Sequence, residues 1–476
     1  MDKSLLMDFG SLSRGTGAQV ISFSSLPAGG FESVSIDSRD VKPGALFVAL
    51  EGTARNGHEF VGTAFKAGAA AAMVAESVYA SDTYGVKAAA EAAGKTLIVV
   101  KNTLKGLQDA ARVYLEQFPG LIKIGITGSS GKTTTKEVAA AIIGREKRVV
   151  MNPGNFNSET GLPLAVFLVR PHHEVGIFEM GMNRRGEISE LAAVLKPDIA
   201  LITNIGTAHI GILGTKDAIA EEKKSIFSQF SGKETALIPE DDAFASYLAG
   251  GVRVTIQFFG PKATKSLGGY TDLGIEGTEL IWEGNRIRFG LPGHYNFLNA
   301  LAGAAIAQAV PVSANAVKYG LESVKPLFGR SEIIKGDITV LRDCYNANPE
   351  ATLGAIRFSD SVEWKGRKIY IIGSMLELGD HSVPSHREIG KALAGSGAEK
   401  IFLFGEDTVP AKEVLEESGR IPVFHTSNME ELTKEVSGFV KPGDFVLLKG
   451  SRGTALEQLT DIFIAPGEHE HREGVC

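Results

Sequence analysis

The chain has 476 residues, of which 22% are charged and 43% hydrophobic, and its formal net charge is −7. Its length is too great for one hydrophobic core and predicts about three domains. The charge disfavours a nucleic-acid partner, and no apolar run reaches the roughly 18 residues of a membrane span. Two cysteines, Cys344 and Cys476, fit a reducing compartment. Because the N-terminus also lacks a signal-peptide pattern, we expect a cytoplasmic enzyme. We also expect a monomer.

Residues 1–105 form the first predicted domain, a small α/β unit. Its pattern predicts strands at 44–50 and 97–100 and an alanine-rich helix over 61–72. A polar turn before the first strand contains Ser38 and Arg39. These side chains can hold a phosphate because arginine offers a bidentate fork, although the same turn is also typical of a solvated surface.

The second predicted domain, 106–329, is built around a phosphate-binding loop. A strand-like run at 121–126 enters a Gly and Ser loop, and a helical pattern follows at 136–143. Backbone N–H groups of such a loop surround an anion, and the helix adds its positive dipole end. The usual spacing places a glycine where this chain has Ile126. The nucleotide-binding residues predicted from this stretch are Gly128, Ser129, Ser130, Gly131, Lys132, Thr133 and Thr134.

Strands and helices alternate after the loop, which predicts a parallel sheet with ligands at the carboxyl ends of its strands. Glu179 ends one apolar strand and His209 follows the next, at 198–203. A carboxylate at that edge suits Mg²⁺, while a lone histidine is usually structural. Lys223 lies in a charged helical run that is typical of a solvated face. Asn296 and Asn299 precede a predicted helix at 300–309 and either cap it or contact a nucleotide base.

The third predicted domain, 330–476, is a second α/β unit with a Rossmann-like outline. Four apolar runs predict strands at 338–341, 368–372, 400–404 and 444–448. The region has no G-x-G-x-x-G, so we do not expect a dinucleotide. A tail with two Glu and two His residues at 468–471 could hold a metal but is more typical of a disordered terminus.

Taken together, these segments resemble the Mur ligase family over essentially the whole chain. The loop at 127–134 fits the short form found in these ligases, which accounts for Ile126. The resemblance implies three domains: a small α/β domain for a UDP-linked substrate, a central P-loop ATPase-like domain with a parallel sheet, and a Rossmann-like domain for the incoming amine. It implies ATP and Mg²⁺ as cofactors.

The resemblance also assigns roles to single residues. Catalysis is expected from Lys132, Glu179, His209 and Lys223, with Lys223 on the lysine that the family carbamylates. The resemblance further implies metal, nucleotide and substrate contacts. Mg²⁺ is assigned to Thr133, Glu179, His209 and Lys223; ATP to the loop with Asn296, Asn299, Arg330 and Asp343; and substrates to Ser38, Arg39, Asn157, Asn346 and Asn348.

Two segments of the last domain select a branch of the family. The runs 343–349 and 373–380, with His386 after them, resemble the ligases that add D-alanyl-D-alanine to UDP-N-acetylmuramoyl-tripeptide. Two departures occur, at Ser158, where a second asparagine is usual and to which no role is assigned, and at Ser374, where aspartate is commoner. The implied reaction passes through an acyl phosphate and releases ADP. The alternatives are a sister ligase adding another amino acid, a P-loop nucleotide switch, and a nucleotide-sugar binding module.

Overall fold

The computed structural model describes residues 5–23, 29–52 and 55–463, so the predicted tail motif at 468–471 lies outside the described residues. Within these residues the strands form five sheets, of which one has five strands and two have six. No helix in the described ranges is both long enough and apolar enough to cross a bilayer. The three large sheets follow one another along the chain and confirm the predicted three-domain α/β fold.

The N-terminal unit is a mixed sheet flanked by helices. Its strands are β1 (Met7–Asp8), β2 (Gln19–Ser22), β3 (Gly30–Phe31), β4 (Ser33–Ser35), β5 (Ala45–Val48), β6 (Ala71–Ala75) and β7 (Thr96–Val100). Its helices are α1 (Phe9–Thr16), α2 (Val61–Lys66), α3 (Glu76–Ser81), α4 (Val86–Ala93) and α5 (Thr103–Leu115). The main sheet has the order β2-β7-β6-β5-β4, in which β2 alone is antiparallel to its neighbour. The predicted domain boundary at 105 falls within α5.

The predicted helix over 61–72 was wrong in its second half. The helix α2 ends at Lys66, and Gly68 then takes a φ of +104°, a conformation that stops a helix. The alanines that follow form β6, which lies between β5 and β7, with Ala72 paired to both strands. All five residues of β6 are buried. Burial in the middle of a sheet has overridden the helical preference of alanine.

The central unit is an all-parallel, six-stranded sheet with helices packed against it. Its parallel strands are β8 (Ile122–Thr127), β9 (Val149–Met151), β10 (Val175–Glu179), β11 (Ile199–Ile202), β12 (Thr235–Pro239) and β13 (Thr255–Phe259). A separate antiparallel sheet contains β14 (Leu267–Asp272), β15 (Thr278–Trp282) and β16 (Asn285–Phe289). The helices are α6 (Lys132–Ile143), α7 (Gly161–Val166), α8 (Glu187–Leu195), α9 (Ile210–Leu213), α10 (Lys216–Lys224), α11 (Ala245–Ala249), α12 (His294–Ala309) and α13 (Ala314–Ser323).

The strand order β13-β12-β11-β8-β10-β9 positions the functional edge. Strand β8 lies between β10 and β11, and Glu179 at the end of β10 pairs with Ile126 of β8. On the other side, Ile202 of β11 pairs with Thr127. The segments that follow these three strands therefore emerge side by side at one edge of the sheet.

The C-terminal unit is a second six-stranded sheet in the order β17-β18-β22-β19-β20-β21, with β17 antiparallel to the rest. Its strands are β17 (Glu332–Ile334), β18 (Thr339–Asp343), β19 (Lys368–Gly373), β20 (Lys400–Phe404), β21 (Val423–Thr426) and β22 (Phe445–Lys449). Its helices are α14 (Pro349–Ser361), α15 (Ser382–Ala394), α16 (Val409–Ser418), α17 (Met429–Phe439) and α18 (Thr460–Phe463). The four strands predicted here are confirmed as β18, β19, β20 and β22.

Candidate active site

A cleft of about 590 Å³ lies between the central and C-terminal sheets. It is lined from the central side by the phosphate loop and from the C-terminal side by the segment that follows β18. The cleft brings together most of the residues that the sequence singled out. These are Ser129, Ser130, Gly131, Lys132, Thr133, Thr134, Asn157, Glu179, His209, Asn296, Asn299, Arg330, Asp343, Asn346 and Asn348.

The phosphate loop has a backbone that only glycine accommodates at two points. Gly128 has a φ of +151°, and a Cβ atom there would lie 1.7 Å from Thr203 Oγ1. Gly131 has a φ of +78°, and its Cβ would lie 2.2 Å from Asn299 Oδ1. Helix α6 begins directly afterwards at Lys132. Its first N–H groups and its dipole are therefore aimed into the cleft, as an anion requires.

The loop is braced by polar residues that follow β11, a segment in which the sequence analysis assigned a role only to His209. Thr203 Oγ1 donates to Ser130 O at 2.6 Å, and Asn204 Oδ1 accepts from Ser130 N at 3.0 Å. Ser129 Oγ accepts from Gly206 N at 2.8 Å. Their position after an apolar strand that lies beside β8 was the feature of the sequence that could have indicated this role. The bracing fixes the shape of a loop whose N–H groups can surround an anion.

Glu179 is buried, with 3% of its surface exposed, and is held from several directions. Its Oε2 accepts from Thr133 Oγ1 at 2.8 Å and its Oε1 from Asn157 Nδ2 at 2.7 Å. Asn152, which the sequence analysis missed, accepts from the backbone N–H of Glu179 at 2.9 Å and donates to its carbonyl at 3.1 Å. Carboxylate and hydroxyl oxygens are the donors that Mg²⁺ takes, so Thr133 and Glu179 fit that ion.

Lys132 is folded back onto its own loop. Its Nζ donates to Gly128 O at 2.8 Å. Burial lowers the pKa of Lys132, the carboxylate of Glu179 opposes this shift, and the nearby guanidinium of Arg330 adds to it. A bound anion would therefore stabilise the charged form of Lys132 and raise its pKa.

Lys223 is 1% exposed, which excludes the solvated helical face that its charged neighbours suggested. Burial, together with the positive charge of Lys132, holds the pKa of Lys223 well below its usual value. The adjacent Glu222 opposes that shift, and its carboxylate accepts from the backbone N–H groups of Gly186 at 2.7 Å and Ile188 at 2.9 Å. Among the described residues, no hydrogen bond or ion pair engages the Lys223 amine.

His209 lies close to the C-terminal unit. It has a φ of +63°, and its Nδ1 lies 3.2 Å from Glu377 Oε2 of the C-terminal unit. This separation lies within ion-pair distance, but the pair lacks hydrogen-bond geometry, so Nδ1 has no hydrogen-bond partner within the described part of the chain. His209 thus lines the cleft at a junction between two units.

Asn296 and Asn299 do not cap a helix, because α12 already begins at His294 with Gly293 as its cap. Asn296 Nδ2 donates to Pro292 O at 2.8 Å, and Asn299 Nδ2 donates to Asn296 Oδ1 at 3.3 Å. Both asparagines are buried beside the loop. They form a polar pair on one face of α12 that lines the cleft beside the phosphate loop.

Asp343 and Arg330 line the C-terminal wall. Asp343 Oδ2 accepts from Lys449 Nζ at 2.7 Å, and its Oδ1 accepts from Ser331 N at 2.9 Å. The guanidinium of Arg330 lies over the ring of Tyr345, 4.0 Å from the ring centre. Lys449 was not predicted as a site residue, although it ends an apolar strand, β22, as Glu179 does in the central sheet.

The two asparagines after β18 have different environments. Asn346 is exposed, and its Oδ1 accepts from the adjacent Ala347 N at 2.9 Å. Asn348 is buried and caps α14, since its Oδ1 accepts from Ala351 N at 2.8 Å. A structural role therefore accompanies any substrate contact of Asn348.

Ser38 and Arg39 do not line the cleft. The Arg39 side chain is 85% exposed and forms an ion pair with Asp37 at 2.5 Å. Hydrogen bonds from Arg39 lower the pKa of Asp37 to about 2. The guanidinium of Arg39 is already paired with a carboxylate, so a phosphate would have to compete with Asp37 for it.

The chain is similar to known proteins over most of its length. Models described as "Mur ligase family, catalytic domain", "Mur ligase middle domain" and "Mur ligase, glutamate ligase domain" match residues 31–115, 126–307 and 329–452. The UDP-N-acetylmuramoyl-tripeptide–D-alanyl-D-alanine ligase of Treponema pallidum (strain Nichols) is 43% identical over 437 residues, which cover 91% of this chain and 94% of that protein.

Two solved structures are similar over nearly the whole chain. A crystal structure of MurF from Acinetobacter baumannii has a TM-score of 0.85 and 28% identity, and the match covers 96% of this chain and 99% of that one. The MurF ligase from Thermotoga maritima, solved in complex with ADP, has a TM-score of 0.77 and 28% identity, with coverage of 90% and 96%.

Proposed function

The chain belongs to the Mur ligase family, and on that premise we propose that it joins D-alanyl-D-alanine to UDP-N-acetylmuramoyl-tripeptide at the expense of ATP, in peptidoglycan synthesis. The observation that carries this proposal is the shared cleft. A phosphate loop with Lys132, Thr133 and Glu179 lines one wall, and Asn346 and Asn348 line the opposite wall. The Treponema pallidum relative, named for this reaction, covers 91% of the chain at 43% identity.

The chemistry begins with the tripeptide carboxylate, a poor acylating agent. One carboxylate oxygen attacks the γ-phosphorus of ATP, the bond to the β–γ bridging oxygen breaks, and ADP leaves. The amine of the dipeptide then attacks the acyl carbon, and phosphate leaves with the C–O bond pair as the amine loses a proton. The N–H groups of the loop and the Lys132 ammonium stabilise charge on the transferring phosphoryl group.

Mg²⁺ would neutralise phosphate charge in this site, and Thr133 and Glu179 would hold it. By family resemblance, Glu179 and His209 would hold a second ion, which a carbamate on Lys223 could also serve. A carbamate forms when a neutral amine attacks CO₂ and releases a proton, which exchanges a cation for an anion. The burial of Lys223, its lowered pKa and its position within electrostatic range of Lys132 support this modification.

The remaining contacts follow the three proposed domains, 1–105, 106–329 and 330–476. ATP would lie along the loop, with Asn296 and Asn299 on its base side and Arg330 and Asp343 on its phosphate and ribose sides. Asn157 would contact the tripeptide substrate. Ser38 and Arg39 would bind the UDP end, for which Arg39 must exchange its contact with Asp37. Asn346 and Asn348 would bind the dipeptide.

The direct test is a ligation assay with purified protein, ATP, Mg²⁺, UDP-N-acetylmuramoyl-tripeptide and a panel of amines. Mass spectrometry of the product and phosphate release are measured together. We expect product only with D-alanyl-D-alanine and close analogues. Product with a single amino acid would identify a sister ligase, and phosphate release that needs no amine would identify a nucleotide switch. Substrate binding without any turnover would identify a nucleotide-sugar binding module.

An isotope experiment tests the acyl phosphate. With ¹⁸O in the acceptor carboxylate, one labelled oxygen should appear in the released phosphate, because that oxygen bridges carbon and phosphorus in the intermediate. The nucleotide product should be ADP. Phosphate without label, or labelled AMP, would exclude the proposed path. Cys344, the described cysteine, does not offer a covalent alternative, since burial raises the pKa of its thiol to about 12.

A further inference from the structure

Glu350, in the first turn of α14, reaches across the cleft from the C-terminal unit to the central unit. Its Oε2 accepts hydrogen bonds from Thr207 N at 3.0 Å and from Thr207 Oγ1 at 2.6 Å. Its Oε1 lies 2.9 Å from Lys216 Nζ. Burial alone would raise the pKa of Glu350, but the hydrogen bonds from Thr207 and Lys216 outweigh it and lower that pKa. One charged carboxylate thus holds two separate elements of the central unit.

The first of these elements leads to the phosphate loop. Thr207 follows Gly206, whose N–H donates to Ser129 Oγ of the loop at 2.8 Å. The packing is tight, since a Cβ atom on Gly206 would lie 3.1 Å from both Glu350 Cδ and Glu350 Oε2. A displacement of the Glu350 carboxylate is therefore transmitted to the brace of the phosphate loop.

The second element leads to the buried lysine. Lys216 is the first residue of α10, and Lys223 lies close to the end of the same helix. Seven residues make about two helical turns, so the two lysines share one side of α10. A contact that fixes the start of this helix also limits how the helix, and with it Lys223, can shift.

On its own unit, Glu350 lies beside the proposed dipeptide contacts. Asn348 caps the helix α14 whose first turn holds Glu350, and Asn346 lies just before it. All three residues line the same cleft. The segment that would seat the acceptor amine is therefore the segment that carries the carboxylate to Thr207 and Lys216.

We propose that Glu350 is a positioning residue that couples the seating of the acceptor amine to the phosphate loop and to α10. This inference rests on the proposed ligase function. When the carboxylate is in place, the C-terminal wall is closed against the central wall while the acyl phosphate exists. Without it, the wall is loosely held and water competes with the amine for the acyl carbon.

The experiment measures phosphate and ligated product in the same reaction. For the wild type we expect one phosphate per ligated product. For Glu350→Ala we expect about threefold or more phosphate per product, a fall of about tenfold in kcat/KM for D-alanyl-D-alanine, and an affinity for ADP within about twofold of wild type. A reduced amount of folded protein would lower both products equally and leave their ratio unchanged, so the ratio reports positioning.

A double-mutant cycle tests the contact itself. Glu350→Gln and Lys216→Met each keep the size of the side chain and remove one partner of the ion pair. Their effects on kcat/KM for the dipeptide should be non-additive by about threefold or more. Glu413→Gln is the matched control, because Glu413 forms a comparable ion pair with Arg387 on the outside of the same unit, with 48% of its side chain exposed. It should behave as wild type.

The inference requires both results. It is overturned if Glu350→Ala leaves the ratio of phosphate to product unchanged, or if the effects in the cycle are additive. It is also overturned if Glu350→Ala lowers ADP affinity as much as kcat/KM for the dipeptide, or if Glu413→Gln raises the same ratio. A wild-type protein that forms no ligated product overturns the proposed function instead, and this is established before any variant is compared.

Discussion

Thr133 Oγ1 donates a 2.8 Å hydrogen bond to Glu179 Oε2, which joins the first turn of α6 to the end of β10. The two residues are 46 positions apart in the sequence and meet because β8 and β10 are neighbours in the sheet. Asn157 Nδ2 donates to the other carboxylate oxygen at 2.7 Å. Burial of a carboxylate charge costs free energy, which these hydrogen bonds partly offset. A metal cation in the adjacent cleft would offset more of that cost.

This pair gives the first prediction. Glu179→Gln keeps the shape of the side chain but removes its charge, so ligation should fall about 10²- to 10³-fold in kcat while the melting temperature changes little. Thr133→Ser keeps the hydroxyl and should remain close to wild type, whereas Thr133→Val should fall in the same range as Glu179→Gln. A Glu179→Gln enzyme with normal kcat would exclude Glu179 from the reaction centre.

Lys132→Ala should lose nearly all ligation and remain folded, because the lost interaction is with charge that develops on the transferring phosphoryl group. Steady-state kinetics and circular dichroism would be compared with those of Lys123→Ala. Lys123 pairs with Asp198 at 3.0 Å near the opposite end of β8, so its removal should leave kcat unaffected. Wild-type kcat in Lys132→Ala would mean that the nucleotide assignment is wrong.

Lys223→Ala should be severely impaired, and Lys223→Arg should not restore activity, because arginine keeps a positive charge and cannot form a carbamate. The modification can be observed directly by ¹³C NMR of protein incubated with ¹³C-labelled bicarbonate. We expect a carbamate resonance in the wild type and none in Lys223→Arg. Near-normal ligation by the arginine variant would show that the carbamate is not required.

Substitutions on the proposed dipeptide wall should change the KM for the dipeptide and not the KM for ATP. Asn346→Ala should raise KM for D-alanyl-D-alanine about tenfold with little change in KM for ATP. Asn348→Ala should also destabilise the protein by about 1 kcal/mol, because the cap of α14 is lost. Asn348→Asp retains the capping oxygen and should restore stability but not dipeptide affinity. If only the ATP KM rises in these variants, the dipeptide has been assigned to the wrong wall.

The free energy of unfolding should decrease as the pH is lowered, because His386 is buried in its neutral form. This residue of α15 is buried, its Nε2 accepts from Met375 N at 3.0 Å, and its Nδ1 lies 2.9 Å from Ser382 O. The neutral form with hydrogen on Nδ1 satisfies both contacts, and burial lowers the pKa of His386. Below an unfolded pKa of about 6.5, the unfolded chain binds a proton that the folded chain does not, so the folded state loses up to about 1.4 kcal/mol per pH unit.

Urea unfolding at about pH 7.5 and about pH 5.5 would test this, with His386→Gln as the comparison, because other titrating groups cancel in the difference. We expect wild type to lose more stability than the variant between the two pH values. An identical loss in both proteins would mean that the pKa of His386 is the same in the folded and unfolded chains.

Local sequence determined the parts of this protein whose physical causes are local. The backbone conformation of the loop at 127–134 depends on Gly128 and Gly131, which are visible in the sequence, so the phosphate site was predictable. The apolar strands were also predictable, and their carboxyl ends correctly indicated where Glu179 would emerge. The pattern left two roles open for Asn296 and Asn299. Family resemblance, not pattern, assigned the remaining cleft residues, which are Asn157, Arg330, Asp343, Asn346 and Asn348.

Tertiary structure decided what depends on neighbours distant in sequence. The alanines at 71–75 form a central strand because two other strands enclose them, although alanine alone favours a helix. Lys223 is buried despite its charged neighbours, because α10 turns that side toward Lys132. His209 faces Glu377, and Glu350 reaches Thr207 and Lys216, only because two sheets meet across one cleft. Burial and long-range contact are properties of the packed chain, and no window of sequence contains them.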